Sequence, residues 1–124
     1  MNISFEQWSA GQGVVRHDQL TQERVLDLLA ALERQELCSR EQALRLLTAA
    51  DYLCNMAMWL TVHMTYSKHV YLDGRPLKDS DFKDTPEGHT GGALNIVPAY
   101  VGYLLANALT GKTRAWMMGQ GHCV

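Results

Sequence analysis

The sequence predicts a mostly α-helical chain of about three helices followed by one terminal strand. Three observations carry that expectation. Apolar residues recur at helical spacing across 21–37 and again across 39–67. A further apolar stretch, about Ala93 to Leu109, meets Gly111 where a terminating glycine belongs. The run Thr113–Met118 is short, apolar and closed by a Gly119-Gln120-Gly121 turn, which is how a buried parallel strand reads.

The elements follow in order. After a glycine-punctuated lead-in, Thr21 is the expected cap of a helix running to about Leu37. Val25, Leu28, Leu29 and Leu32 form its apolar stripe, with Gln22, Glu23, Glu33 and Arg34 on the other side. Ser39 with Gln42 three residues on is a capping-box pattern, opening a second helix that extends to about Ser67. Its first half is amphipathic through Ala43, Leu44, Leu46 and Leu47. From Ala49 to Tyr66 it is apolar nearly all round, through Leu53, Met56, Met58, Trp59, Leu60, Val62 and Met64. Such a helix needs burial on every side, which two or three helices cannot supply. More protein is expected against it, as a continuation of the chain or a partner subunit.

Residues 68–92 carry Gly74, Pro76, Pro86, Gly88, Gly91 and Gly92 and read as one long connection, functional or disordered. Their mixed-sign charges, among them Asp73, Arg75, Lys78, Asp81 and Lys83, read as a solvated loop. Pro98 requires the third helix either to begin near it or to kink there. The strand at 113–118 needs neighbours that the sequence does not supply, so the chain is expected to stop mid-fold.

Composition narrows the function. At 124 residues, with 47% hydrophobic, there is one domain and enough apolar material for a core. A net charge of −2 gives no electrostatic footprint for nucleic acid or an anionic membrane. Cys38, Cys54 and Cys123 are odd in number and lack CxxC spacing, which points to a reducing, cytoplasmic setting rather than a disulfide scaffold. The N-terminus lacks the basic and apolar regions of a secretory signal. No membrane span is expected, because the nearest candidate contains Asp51, Asn55 and His63.

Glycine and histidine meet twice, at Gly88-His89-Thr90-Gly91-Gly92 and at Gly119-Gln120-Gly121-His122. Glycines let the main chain approach a ligand closely, and a histidine on such a turn can donate to phosphate or move a proton near neutral pH. The second turn sits at the carboxyl end of the expected strand, where open α/β sheets place ligands.

In this order, the segments GHTGGALN and MMGQGH resemble the paired GH motifs of the thiamine-diphosphate-dependent transketolase/phosphoketolase superfamily. His89 and His122 stand 33 positions apart, close to the short spacing of phosphoketolases. Ala50-Asp51-Tyr52-Leu53, Pro76-Leu77-Lys78 and Asp81-Phe82-Lys83 match their layout upstream. The resemblance covers roughly residues 45–124. It implies that residues 1–124 are the N-terminal fragment of a thiamine-diphosphate-binding α/β domain whose remainder lies beyond Val124. It further implies a homodimer or higher oligomer acting on a phosphorylated ketose, with xylulose 5-phosphate the leading substrate, as a lyase, transferase or epimerase. His89 would be a catalytic residue facing the sugar. His122 would be catalytic and cofactor-binding, with Gly119 and Gly121 beside the diphosphate and Gly88, Gly91 and Gly92 shaping the substrate loop. Thr90 departs from the bulky aromatic of phosphoketolases and the proline of transketolases, and Gln120 and Cys123 also depart. These departures lie where the substrate would sit.

The GDG…N segment that would hold Mg²⁺ and the diphosphate is absent; Asp73-Gly74 precedes the first motif and does not serve. The fragment alone is therefore expected to be inactive. A metal site from His89, His122 and Cys123 is disfavoured for want of paired ligand spacing. His63 reads as a hydrogen-bonded core residue, His17 and His69 as surface positions, and the methionines, Trp59 and Trp116 as packing. The alternative function is a non-catalytic helical interaction module that self-associates.

Overall fold

Ser4 opens the first helix through a capping box. Its hydroxyl accepts the Gln7 N–H at 3.2 Å, and the Gln7 amide oxygen accepts the Ser4 N–H at 2.8 Å. The resulting helix α1 (Phe5–Ser9) lies inside the stretch expected to be an irregular lead-in. The computed structural model describes residues 2–88 and 90–115. It is mostly helical, with α2 (Gln19–Arg34), α3 (Arg40–Tyr66), a 3₁₀ turn (Asp79–Asp81) and α4 (Thr90–Thr110) following α1.

Asp18, not Thr21, caps α2. Its carboxylate accepts the Thr21 N–H at 2.7 Å, so the residue expected to cap the helix is the one whose amide is capped. The helix ends in a Schellman arrangement, with Leu37 N–H donating to the Leu32 carbonyl and Glu36 N–H to that of Glu33. Glu36 occupies the left-handed position at φ 54°, where glycine is usual. Ser39 and Gln42 form the expected capping box on α3.

α4 begins at Thr90, three residues before the expected start, so Gly91 and Gly92 lie in its first turn. It runs through Pro98, whose missing N–H leaves the Leu94 carbonyl without its helical partner. Among the described residues α4, not α3, is long and apolar enough to cross a membrane, a test that core helices of soluble proteins also pass. It packs along α3, the most extensive contact between elements.

One core joins the chain's two ends. Trp8, Val25, Leu29, Leu32, Ala43, Leu44 and Leu47 close on Leu109 near the end of α4, with Ile3, Phe5, Cys38, Leu46 and Leu105 around them. Beyond this core, the later part of α3 exposes Leu53, Met56, Leu60 and Met64, an i, i+3, i+7, i+11 stripe that this chain alone leaves to solvent. Of the strand expected at 113–118, residues 113–115 have no regular structure and 116–118 lie outside the described residues. The β-pairing among the described residues is confined to two isolated antiparallel bridges, Gln12 with Val15 and Ser67 with Phe82.

Candidate functional site

Of the first Gly-His segment, Gly88 lies near the end of α3, and Gly91 and Gly92 lie at the start of α4. Gly88 adopts φ 131°, a conformation that side chains resist, and lies exposed beside Thr65. A methyl group there would stand 3.8 Å from the Thr65 hydroxyl, an ordinary contact. The backbone conformation, rather than want of space, therefore requires glycine at 88. Gly91 and Gly92 are exposed within the first turn of α4 and do not have positive φ. His89, Gly119, Gly121 and His122 lie outside the described residues.

The connection leading to Gly88 is more organised than a solvated loop. Asp81 gathers three donors on its carboxylate: Arg75 Nη1 at 2.8 Å, the Lys78 N–H at 2.8 Å and the Tyr71 hydroxyl at 3.0 Å. The Arg75 guanidinium also lies over the Tyr71 ring, 3.7 Å from its centroid. The Arg75 side chain and then the Lys78 N–H hold the Asp81 carboxyl well below the usual carboxylate range. Desolvation and the bond to Asp81 push the Tyr71 phenol up. Mixed charge read as solvation in the sequence is, at Arg75 and Asp81, an internal ion pair. The signal available was the arginine and the aspartate six positions apart, bracketing Pro76 in a chain that has to turn.

A second polar cluster lies at the N-terminal end. His17 donates Nε2 to Asp51 Oδ2 at 2.8 Å, and the two side chains are only 10% and 13% exposed. The His17 ring stacks on Trp8 with centroids 4.2 Å apart. His17 is therefore not the surface residue that its polar neighbourhood in the sequence suggests. A tight turn carries it there. Gln12 and Val15 exchange both backbone hydrogen bonds, with Gly13 at φ 59°, and Val14 N–H donates to Asn55 Oδ1 at 2.9 Å. Asp51 and Asn55, one helical turn apart on α3, thus receive the strap together. Burial raises the Asp51 carboxyl, opposed by the hydrogen bond and charge of His17. Burial, then the Asp51 charge, pushes the Cys54 thiol up, so this thiol is not an activated nucleophile. His63 donates Nδ1–H to the Trp59 carbonyl at 3.1 Å, and His69 is exposed.

The cavity between α3 and α4 is about 190 Å³ and is lined by Leu46, Ala49, Ala50, Leu53, Val101, Leu104, Leu105 and Ala108. It offers packing and no chemistry. Among the described residues no three His, Cys, Asp or Glu side chains converge to hold a metal ion. No family model, curated protein or solved structure matches the chain.

Proposed function

We propose that this chain is the N-terminal part of a thiamine-diphosphate-dependent enzyme that acts on phosphorylated ketoses, xylulose 5-phosphate first among them. The observation that carries the reading is the pair of glycine-histidine turns, 33 positions apart, with the apolar helix α4 between them. The glycine-only backbone at Gly88, directly before that helix, supports it. On this reading His89 hydrogen-bonds a ketose hydroxyl and moves a proton as carbon–carbon bonds change. His122, between Gly121 and Cys123, donates to the phosphate side of the site, with the Gly119 and Gly121 main chain close by. The cofactor itself supplies the carbanion stabilisation.

The described residues do not fit the metal-diphosphate half of the cofactor. They present no converging oxygen donors for Mg²⁺, and the sequence has no GDG…N segment. On this reading those donors and the remainder of the α/β fold come from sequence following Val124, and the parent enzyme is a cytoplasmic homodimer or higher oligomer. The second reading, a helical module that self-associates, draws on the exposed stripe of α3.

Calorimetric titration with Mg²⁺ and thiamine diphosphate tests the reading. The complete gene product should bind in the micromolar range or tighter, and residues 1–124 alone far more weakly. Micromolar binding by residues 1–124 alone would contradict this division of the site. A folded complete product that does not bind would remove the enzyme reading.

A further inference from the structure

The connection between α3 and α4 begins with a turn that stands well out in solvent. Tyr71 and Gly74 close it, with Leu72 84% exposed at its tip and Asp73 and Gly74 exposed beside it. Gly74 adopts φ 72°, and no atom lies within 4 Å of where a side chain would begin. Its N–H reaches the Tyr71 carbonyl only at 3.5 Å, so the nitrogen is weakly engaged. The Asp73 carboxyl is better placed, with Oδ1 accepting the Arg75 N–H at 3.2 Å. An aspartate oxygen bonded to the main chain two residues on folds its carboxyl over the intervening peptide, here that of Gly74.

An electrophile and a nucleophile thus share one side of the turn. The Arg75 N–H polarises the Asp73 carboxyl and stabilises the charge its oxygen gains under attack. Attack by the Gly74 nitrogen forms a bond to Cγ, the amide proton passes to solvent, and the carboxyl hydroxyl leaves with a proton as water. The product is a five-membered succinimide. Water then opens the ring at either carbonyl. Opening at the main-chain carbonyl leaves the chain running through Cγ, an isoaspartate of unchanged mass. One water leaves and one returns, so the conversion needs no oxidant and no reductant.

The other aspartates lack this combination. Asp73 alone precedes a glycine, and no asparagine does. Asp27 and Asp51 lie within α2 and α3, and Asp79 lies in the 3₁₀ turn. The Asp18 carboxylate is committed to the Thr21 N–H, and that of Asp81 to three donors. Asp84 is followed by the β-branched Thr85, which shields the attacking nitrogen.

We propose that Asp73–Gly74 is a site of spontaneous isomerisation to isoaspartate, and that the isomerised chain is a substrate for a carboxyl methyltransferase using S-adenosylmethionine. That enzyme passes a methyl group from the sulfonium to the freed α-carboxylate, forming an ester. Isomerisation inserts a methylene into the main chain between Tyr71 and Arg75, whose ring and guanidinium stack at 3.7 Å, and it removes the acceptor of the Arg75 N–H. Arg75 then withdraws from Asp81, and the Asp81 carboxyl rises from its depressed value towards the ordinary 3.8. None of this depends on the cofactor assignment.

The test ages the protein near neutral pH at physiological temperature. Isoaspartate is located by peptide mapping with electron-based fragmentation, and counted by labelled methyl transfer with a purified isoaspartyl methyltransferase. Residue 73 should isomerise at least as fast in the folded protein as in a synthetic peptide of residues 68–80, and roughly tenfold faster than Asp79 or Asp84. Gly74→Ala should slow it roughly tenfold, because a side chain shields the nitrogen and resists φ 72°. Asp73→Glu, whose longer side chain does not close the five-membered ring, should take up no label at this position. In the isomerised fraction, carbon-detected titration should show the Asp81 carboxyl moved up. A folded protein that forms no isoaspartate at 73 while the peptide does would overturn the proposal. Equal isomerisation at Asp84, or an unchanged rate in Gly74→Ala, would overturn it as well.

Discussion

Helix α3 passes through two environments, and the change falls near Asp51. Before it, Ala43, Leu44 and Leu47 are buried against α1, α2 and the end of α4, and each apolar position has a partner in the chain. After it, the helix turns from amphipathic to apolar nearly all round, yet Met56 and Met64 are 63% and 60% exposed. The junction is marked by the strap that seats His17 on Asp51 and Val14 on Asn55. The more apolar half of the helix is thus the one with less facing surface in this chain. The first region is therefore stabilised by burial this chain completes, and the second presents surface for something else.

Substitution should separate the two regions sharply. Leu29→Ala, at a fully buried position, should cost about 3–5 kcal/mol in denaturant unfolding, while Leu60→Ala should cost less than about 1 kcal/mol. Equal losses at the two sites would show that the later half of α3 is buried in solution.

The junction comes next in size. His17→Ala leaves Asp51 half-desolvated without its donor and strips a ring from Trp8, and should cost about 2–3 kcal/mol by the same measurement. The pH dependence has a definite sign. The folded-state pKa of Asp51 is raised, so its contribution is fully present below the ordinary aspartate value of 3.8 and is lost as pH rises through the folded value. Asp81 runs the opposite way. Its folded-state pKa is depressed, so its contribution is present above 3.8 and is lost as pH falls through the folded value. Asp51→Asn and Asp81→Asn should therefore change the slope of stability against pH in opposite directions.

The smallest effect is a gain. Glu36→Gly relieves the left-handed C-terminal position of α2 and should stabilise by about 0.5–1 kcal/mol. A loss would mean that the Glu36 side chain makes an interaction worth more than the backbone relief.

Periodicity made α2, α3 and α4 legible in the sequence because each has an apolar pattern long enough to register. The Ser39–Gln42 cap was legible from local chemistry alone. The same chemistry at Ser4–Gln7 went unread because only five helical residues follow it, too few for a period. His17 was illegible for another reason. Its partner is fixed by how a strap closes on α3, and no local pattern encodes a contact 34 residues away. Of the site, the Gly-His motifs could be read as spacing. Gly88 adds a backbone conformation that only its structure reveals.

The most direct measurement is turnover of xylulose 5-phosphate by the complete gene product, before and after thiamine diphosphate and Mg²⁺ are removed by chelation and dialysis. Activity should disappear on removal and return only when both are restored, and should fall at least a hundredfold in His89→Ala and His122→Ala. A folded product that is inactive with both supplied, or active without them, would contradict it.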